Sequence, residues 1–138
     1  MASTKGVVRF SVSLPPTLVQ EFDDVRRKMG YDNRSKAVHD AFRGFISEHK
    51  WTHEDSAEIT GAIVMLYYLE KPGLLNQIVR TQHAFENVIS SSMHVHLTKS
   101  KCLEIIGVKG KAKDIRGLTQ ELMTKKGVKQ LRFMAIAM

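Results

Sequence analysis

A chain of 138 residues has room for one ordinary domain or two very small ones. Its 43% hydrophobic and 25% charged residues exclude a disordered chain, and its longest apolar run, AIVMLYYL, is too short to span a bilayer. One cysteine excludes an internal disulfide framework, and a net charge of +7 points to an anionic partner, nucleic acid first.

The N-terminus, MASTKGVVRF, lacks the apolar core of a signal peptide, so the expected setting is the cytoplasm, with a reduced thiol. The basic excess is spread, however. Residues 1–52 hold 9 Lys and Arg against 6 Asp and Glu, and residues 53–138 hold 12 against 8. Charge alone therefore selects no binding surface.

The segment VVRFSVSL alternates, with Val8, Phe10, Val12 and Leu14 on one side and Arg9, Ser11 and Ser13 on the other. That period predicts a half-buried strand. Pro15 and Pro16 suit a helix start, where their missing N–H groups are not needed. Leu18, Phe22, Val25 and Met29 follow at helical spacing, and Gly30 supplies a left-handed stop. Asn33 is placed to cap a second helix burying Ala37 or Val38, Ala41 or Phe42, and Phe45 or Ile46. A strand and two helices cannot hide their own apolar surface, and the lone strand needs a partner. A dimer that pairs its strands antiparallel solves both problems.

The polar stretch 52–58 reads as a linker. Beyond it, ITGAIVMLYYL predicts a buried strand, and LLNQIVRTQHAFENVI a helix with Leu75, Ile78, Phe85 and Ile89 inward. SMHVHL, the turn TKSK and CLEIIGV predict a hairpin. KAKDIRGLTQELMTKKG predicts a helix with Ile115, Leu118 and Leu122 inward and Gly127 as its stop, and VKQLRFMAIAM a last strand. The order β-α-β-β-α-β is the ferredoxin-like arrangement. The expected class is α+β: residues 1–51 as a first domain, 52–58 as linker, and 59–138 as a second.

An antiparallel two-stranded ribbon fits the DNA major groove, where an arginine can grip guanine with two hydrogen bonds. The N-terminus of the second helix adds free N–H groups suited to a phosphate. The segment RFSVSLPPTLVQEFD…GYDNRSKAVHDAFR resembles the ribbon-helix-helix DNA-binding repressors over residues 7–48. The resemblance implies that Arg9, Ser11 and Ser13 enter the groove while Asn33, Arg34 and Ser35 hold the DNA backbone.

His94 and His96 are two apart on a predicted strand and emerge from one face, and the turn returns Cys102 beside them. Imidazole and thiolate donors suit Zn, Cu or Ni far better than Mg or Ca. His83, on the preceding helix, is a fourth candidate, within the chain or across an interface. Neither zinc-finger spacing nor H-E-x-x-H is present. A Cys–His catalytic pair would lack any evident oxyanion turn, so no enzyme is expected.

A ribbon-helix-helix module followed by βαββαβ with the pattern Q-H-x10-H-x-H-x5-C-L-E is similar to the nickel-responsive transcriptional regulators, the NikR family. The resemblance implies an ACT-type regulatory domain in a homotetramer. It also implies one square-planar Ni(II) per chain, held by His94, His96 and Cys102 of one subunit and His83 of the next. Glu104 shares a strand face with Cys102 and is a candidate to orient one imidazole. The implied role is a repressor of nickel uptake genes, acting at double-stranded DNA with two-fold symmetric half-sites. The chain departs from the family at Lys36 and His39, where glutamate and arginine are usual. In some members that glutamate, with the aspartate matching Asp40, contributes to a further cation site, and Lys36 paired with Asp40 would replace that cation. His49 and His53 read as surface residues beside the linker. Sensing of an amino acid or other small molecule is the second reading, and metal storage the third.

Overall fold

The computed structural model describes residues 6–137. Residues 1–5, part of the stretch read as lacking a leader core, and Met138, the last residue of the expected final strand, lie outside them. The chain divides into two compact units, residues 1–41 and 42–138.

In the first unit, residues 7–15 run without assigned secondary structure. Val7, Val8, Phe10, Val12 and Leu14 are exposed. The alternation that predicts a strand is present, but a strand exists only by pairing in a ladder, and residues 7–15 are assigned to none. Helix α1 (Pro16–Lys28) has a proline at its start as expected. It closes as a Schellman motif: Gly30 takes φ +87°, its N–H donates to the Arg27 carbonyl, and the Tyr31 N–H donates to Arg26. Helix α2 (Arg34–His53) is capped by Asn33, whose Oδ1 accepts the Lys36 N–H at 3.3 Å. The helix therefore continues through Trp51–His53, into the stretch that sequence alone reads as the linker.

Among the described residues of this unit only Asp23 and Ala37 are buried. Asp23 is the polar tie between the helices. Its Oδ1 accepts from Arg26 at 2.9 Å and from Arg34 Nε at 3.0 Å, while Oδ2 accepts from Arg34 Nη2 at 2.7 Å. The Arg34 bonds, and then Arg26, hold the Asp23 carboxyl far below the usual carboxylate range. A depressed pKa adds stability that is complete above the unfolded value, about 3.9, and is lost as pH falls through the folded one. The acid-side loss of thermal stability should therefore begin as pH drops below about 4. Asp23→Asn should lower the melting temperature at pH 7 and flatten that acid limb in a pH series of thermal melts. An unchanged acid limb would remove Asp23 from the account.

The second unit is α+β. Strands β1 (Glu58–Tyr68), β2 (Ile89–His96), β3 (Lys101–Lys111) and β4 (Val128–Ala137) form one antiparallel sheet in the order β2-β3-β1-β4. With α3 (Leu74–Ala84) and α4 (Ala112–Met123) between strands, this is the ferredoxin-like order. One sheet face presents Ile59, Ile63, Met65 and Tyr67 of β1 and Cys102, Ile106 and Val108 of β3 to Leu74 and Ile78 of α3 and Ile115, Leu118 and Leu122 of α4. The inward stripe of α3 is Leu74, Ile78 and Thr81. Leu75 is exposed, and the helix ends at Ala84, so Ile89 opens β2 instead of closing a helical stripe. A Phe85–Val88 turn breaks the run, with the Val88 N–H donating to the Phe85 carbonyl.

The end of α2 is fastened to this unit. Trp51 packs on Phe133 with ring centroids 4.3 Å apart. Arg116 donates to the Trp51 carbonyl and pairs with Asp55. Among the described residues, no helix is long and apolar enough to cross a membrane.

Candidate metal centre

The β2–β3 hairpin is pinned at its turn. The Thr98 hydroxyl accepts from the N–H groups of Ser100 at 3.2 Å and Lys101 at 3.0 Å, and Leu97 N–H donates to the Lys101 carbonyl at 3.0 Å. This fixes the register, which sets His96 opposite Cys102 and His94 opposite Glu104. On the other side of β3, Tyr67 of β1 also lies opposite Cys102. Directly opposed residues share a sheet face. The pleat alone therefore gathers two imidazoles, a thiol, a carboxyl and a phenol.

Their side chains meet around His94. Its Nδ1 lies 3.2 Å from the Tyr67 hydroxyl and 4.0 Å from Cys102 Sγ. Its Nε2 lies 2.6 Å from Glu104 Oε1, and Glu104 Oε2 accepts from Gln82 Nε2 of α3 at 2.7 Å. Glu104 and Cys102 are buried, whereas the His94 ring is 42% exposed on the edge strand. Burial raises the Glu104 carboxyl above its ordinary value, opposed by His94 and then by the Gln82 bond. Burial likewise raises the Tyr67 phenol, reinforced by its hydrogen bond with Cys102 and the nearby Glu104 charge.

Among the described residues, Glu104 Oε1 is a buried side-chain oxygen without an aligned hydrogen-bond donor, even though His94 Nε2 stands beside it. A small ring rotation would align the Nε2–H with this oxygen. That arrangement holds the proton on Nε2 and leaves the Nδ1 lone pair facing the Tyr67 hydroxyl at 3.2 Å and the Cys102 thiol at 4.0 Å. An imidazole nitrogen and a thiolate, with a second imidazole at His96 on the same face, form a borderline-soft donor set that fits nickel, copper or zinc.

His83 stands apart on the last turn of α3, exposed. It lines a groove of about 250 Å³ with Val79, Gln82, Glu86 and Ile89. Among the described residues, no three His, Cys, Asp or Glu side chains converge on one point. The structure thus brings His94 and Cys102 together, places His96 in register with Cys102, and does not bring His83 to them. Sequence reasoning passed over Tyr67 and Gln82. Gln82 had a signal, since it precedes His83 in the Q-H pair. Tyr67 had none, because only the β1–β3 register carries it to the thiol.

Of the candidate DNA-facing residues, Arg9, Ser11 and Ser13 are exposed in the segment before α1, and Asn33, Arg34 and Ser35 sit at the start of α2. Asn33 is engaged as the cap, and Arg34 holds Asp23 from two nitrogens. Lys36 Nζ contacts Asp40 Oδ1 at 2.5 Å, and the Tyr31 hydroxyl donates to Asp40 Oδ2 at 2.5 Å.

A family model described as the NikR C-terminal nickel-binding domain matches residues 60–136. This chain belongs to the NikR family of nickel-responsive regulators. Proteins provisionally named nickel-responsive regulators agree. The one from Pyrococcus furiosus is 40% identical over 90% of this chain and 89% of its own length. The one from Thermococcus kodakarensis is 42% identical over 89% and 88%. That of Methanocaldococcus jannaschii is 41% identical over 90% and 88%. An uncharacterized protein of Thermotoga maritima shares a fold with part of this chain, with a TM-score of 0.52 at 13% identity over 56% of this chain and 96% of that one. The NikR model spans almost the whole sheet and contains His83, His94, His96 and Cys102. Membership of this family makes the chain a regulator and not an enzyme, and its C-terminal unit a nickel-binding domain.

Proposed function

We propose that this protein is a cytoplasmic, nickel-dependent repressor of nickel uptake genes. His94, His96 and Cys102 hold one Ni(II) per chain, with His83 of a neighbouring subunit as the fourth donor in a homotetramer. The observation that carries this reading is the His94 imidazole set between a buried thiol and a buried carboxylate. Glu104, itself held by Gln82, orients the ring. When bound, the metal supplies bonds that join groups on different chains. A ligand divided between subunits favours one arrangement of the assembly, and that preference is what can be read at a distant DNA site.

Residues 1–51 are proposed as the ribbon-helix-helix module, 52–58 as its connection, and 59–138 as the ACT-type, tetramerising metal domain. The exposed apolar residues of 7–14 support strand pairing with a second copy, because pairing would cover those side chains. Pairing would set Arg9, Ser11 and Ser13 on one ribbon face toward base edges, with Asn33, Arg34 and Ser35 at the phosphates. Lys36 on Asp40 is proposed to stand where a bound cation would otherwise neutralise that carboxylate.

The test is selection from a randomised duplex library by the full chain, with and without Ni(II). The expected result is a two-fold symmetric sequence, enriched only with nickel and released by a chelator. Enrichment that is indifferent to nickel but responds to an amino acid would replace this reading with small-molecule sensing.

A further inference from the structure

The last turn of α2 and the first turn of α4 meet at one junction, inside the second compact unit. Every helix end leaves backbone groups that its own helix cannot satisfy. At the start of α4 no side chain supplies a cap. Instead the Ala112 N–H donates to the Ala57 carbonyl at 2.9 Å, and the Lys113 N–H to the Asp55 carbonyl at 3.0 Å. At the end of α2 the Trp51 carbonyl accepts from Arg116 of α4, where the helix dipole favours a cation. The same guanidinium pairs with Asp55 and lies 5.9 Å from the centre of the Trp51 ring. Trp51 packs in turn on Phe133 at the margin of the core.

We propose that Arg116 is the positioning residue that couples the metal domain to the DNA-binding helix α2. Its grip on the last turn of α2 passes on the state of the α3 end that bears His83. This inference rests on the nickel-dependent DNA binding proposed above.

The contacts on α4 carry it. Gly117, the neighbour of Arg116, lies so close to Phe85 that an added Cβ would stand 3.3 Å from Phe85 Cε1. Phe85 closes α3 two residues after His83, its N–H donating to the Thr81 and Gln82 carbonyls at 3.2 Å each. One residue of α4 therefore touches the His83 end of α3, and the next holds the end of α2. Interiors packed this densely pass on a displacement instead of absorbing it. The grip itself depends on the guanidinium fork, which holds a main-chain carbonyl and a carboxylate together, as a lysine ammonium does not. The Asp55 pair alone would contribute little, because that carboxylate is exposed. The bond to the Trp51 carbonyl is what fixes the helix. Beyond it, α2 runs unbroken back to Arg34, about 30 Å at 1.5 Å per residue. An arrangement imposed on its last turn is thus carried by a rigid element to its first, where Asn33, Arg34 and Ser35 are proposed to meet the phosphates.

The experiment measures the Ni(II) affinity of the full chain through the thiolate-to-nickel band, alone and with the selected duplex, for wild type, Arg116→Ala and Arg116→Lys. In the wild type the duplex should tighten Ni(II) by a factor in the usual coupling range, about 5–150-fold, and Ni(II) should tighten the duplex equally. In Arg116→Ala the affinity for Ni(II) alone should stay within about twofold of wild type, whereas the coupling factor should fall to near one. Arg116→Lys keeps the charge beside Asp55 without the fork and should lose most of the factor as well. It carries the same test if the alanine variant does not fold. A merely structural role would lower the melting temperature of the nickel-free variants and leave the coupling factor unchanged, and that result overturns the proposal. A wild type in which nickel and duplex bind independently overturns the nickel-dependent reading and Arg116's part with it. The two failures are distinct, because the second shows before any substitution is made.

Discussion

Cys102→Ala is expected to abolish the thiolate-to-nickel charge-transfer band in an anaerobic Ni(II) titration and, with it, nickel-dependent DNA binding. The hairpin register sets the Cys102 sulfur facing His94 Nδ1. Loss of an outer-shell partner alone costs about 10–100-fold in metal affinity. Removing a thiolate that bonds the metal directly should exceed that. The fold should survive, because the change deletes one buried heavy atom, at a cost on the order of 1 kcal/mol. Far-ultraviolet circular dichroism and the melt of the metal-free variant separate a lost ligand from a lost fold. Glu104→Gln is the informative companion: it keeps shape and a possible acceptor but removes the charge beside His94, so the band should remain while affinity drops within the outer-shell range. A band that survives in Cys102→Ala would move the nickel centre elsewhere in the chain.

How much of this centre was legible depends on the kind of contact. His94, His96, Cys102 and Glu104 were readable because strand alternation and a short turn are local, and local periods fix which residues share a face. The four strands and two helices of the C-terminal unit were readable for the same reason. Tyr67 was not, since its position follows from the β1–β3 pairing of residues 35 apart in sequence, a long-range register that no local period encodes. The choice of Leu74 over Leu75 as the inward residue of α3 was lost for a different reason. Two adjacent leucines satisfy the same helical period, and only the helix phase against the sheet decides between them.

The N-terminal segment shows the opposite case, in which the sequence says more than one chain can display. Alternation over 7–14 predicts a strand, yet these residues carry no assigned secondary structure, and the proposed ladder needs a second copy. Likewise Phe45 and Ile46, one or the other expected to be buried, are both exposed on α2, and Leu18 and Val25 are exposed on α1. Apolar side chains exposed at helical spacing are the surface that the proposed association would cover. The same logic applies to His83, which sits on a groove beside the His94 group without joining it.

The proposed pairing of two copies leads to the other large expected effect. Arg9→Ala should remove operator recognition while leaving nickel binding and assembly intact. A bidentate arginine–guanine contact is worth about 1–3 kcal/mol of discrimination. A ribbon built from two chains carries two such arginines, so the pair should cost about 2–6 kcal/mol, at least roughly 30-fold in affinity. The loss should be confined to the selected sequence, with weak binding to unrelated duplexes nearly unchanged, because base contacts specify whereas phosphate contacts position. Arg34→Ala should behave differently. Arg34 holds Asp23 through two nitrogens, so its loss should lower the melting temperature as well as weaken binding to every duplex. Fluorescence anisotropy on selected and scrambled duplexes, at two salt concentrations, reads both effects. Equal losses on both duplexes for Arg9→Ala would make that residue a phosphate contact and return the reading of the sequence to another part of the molecule.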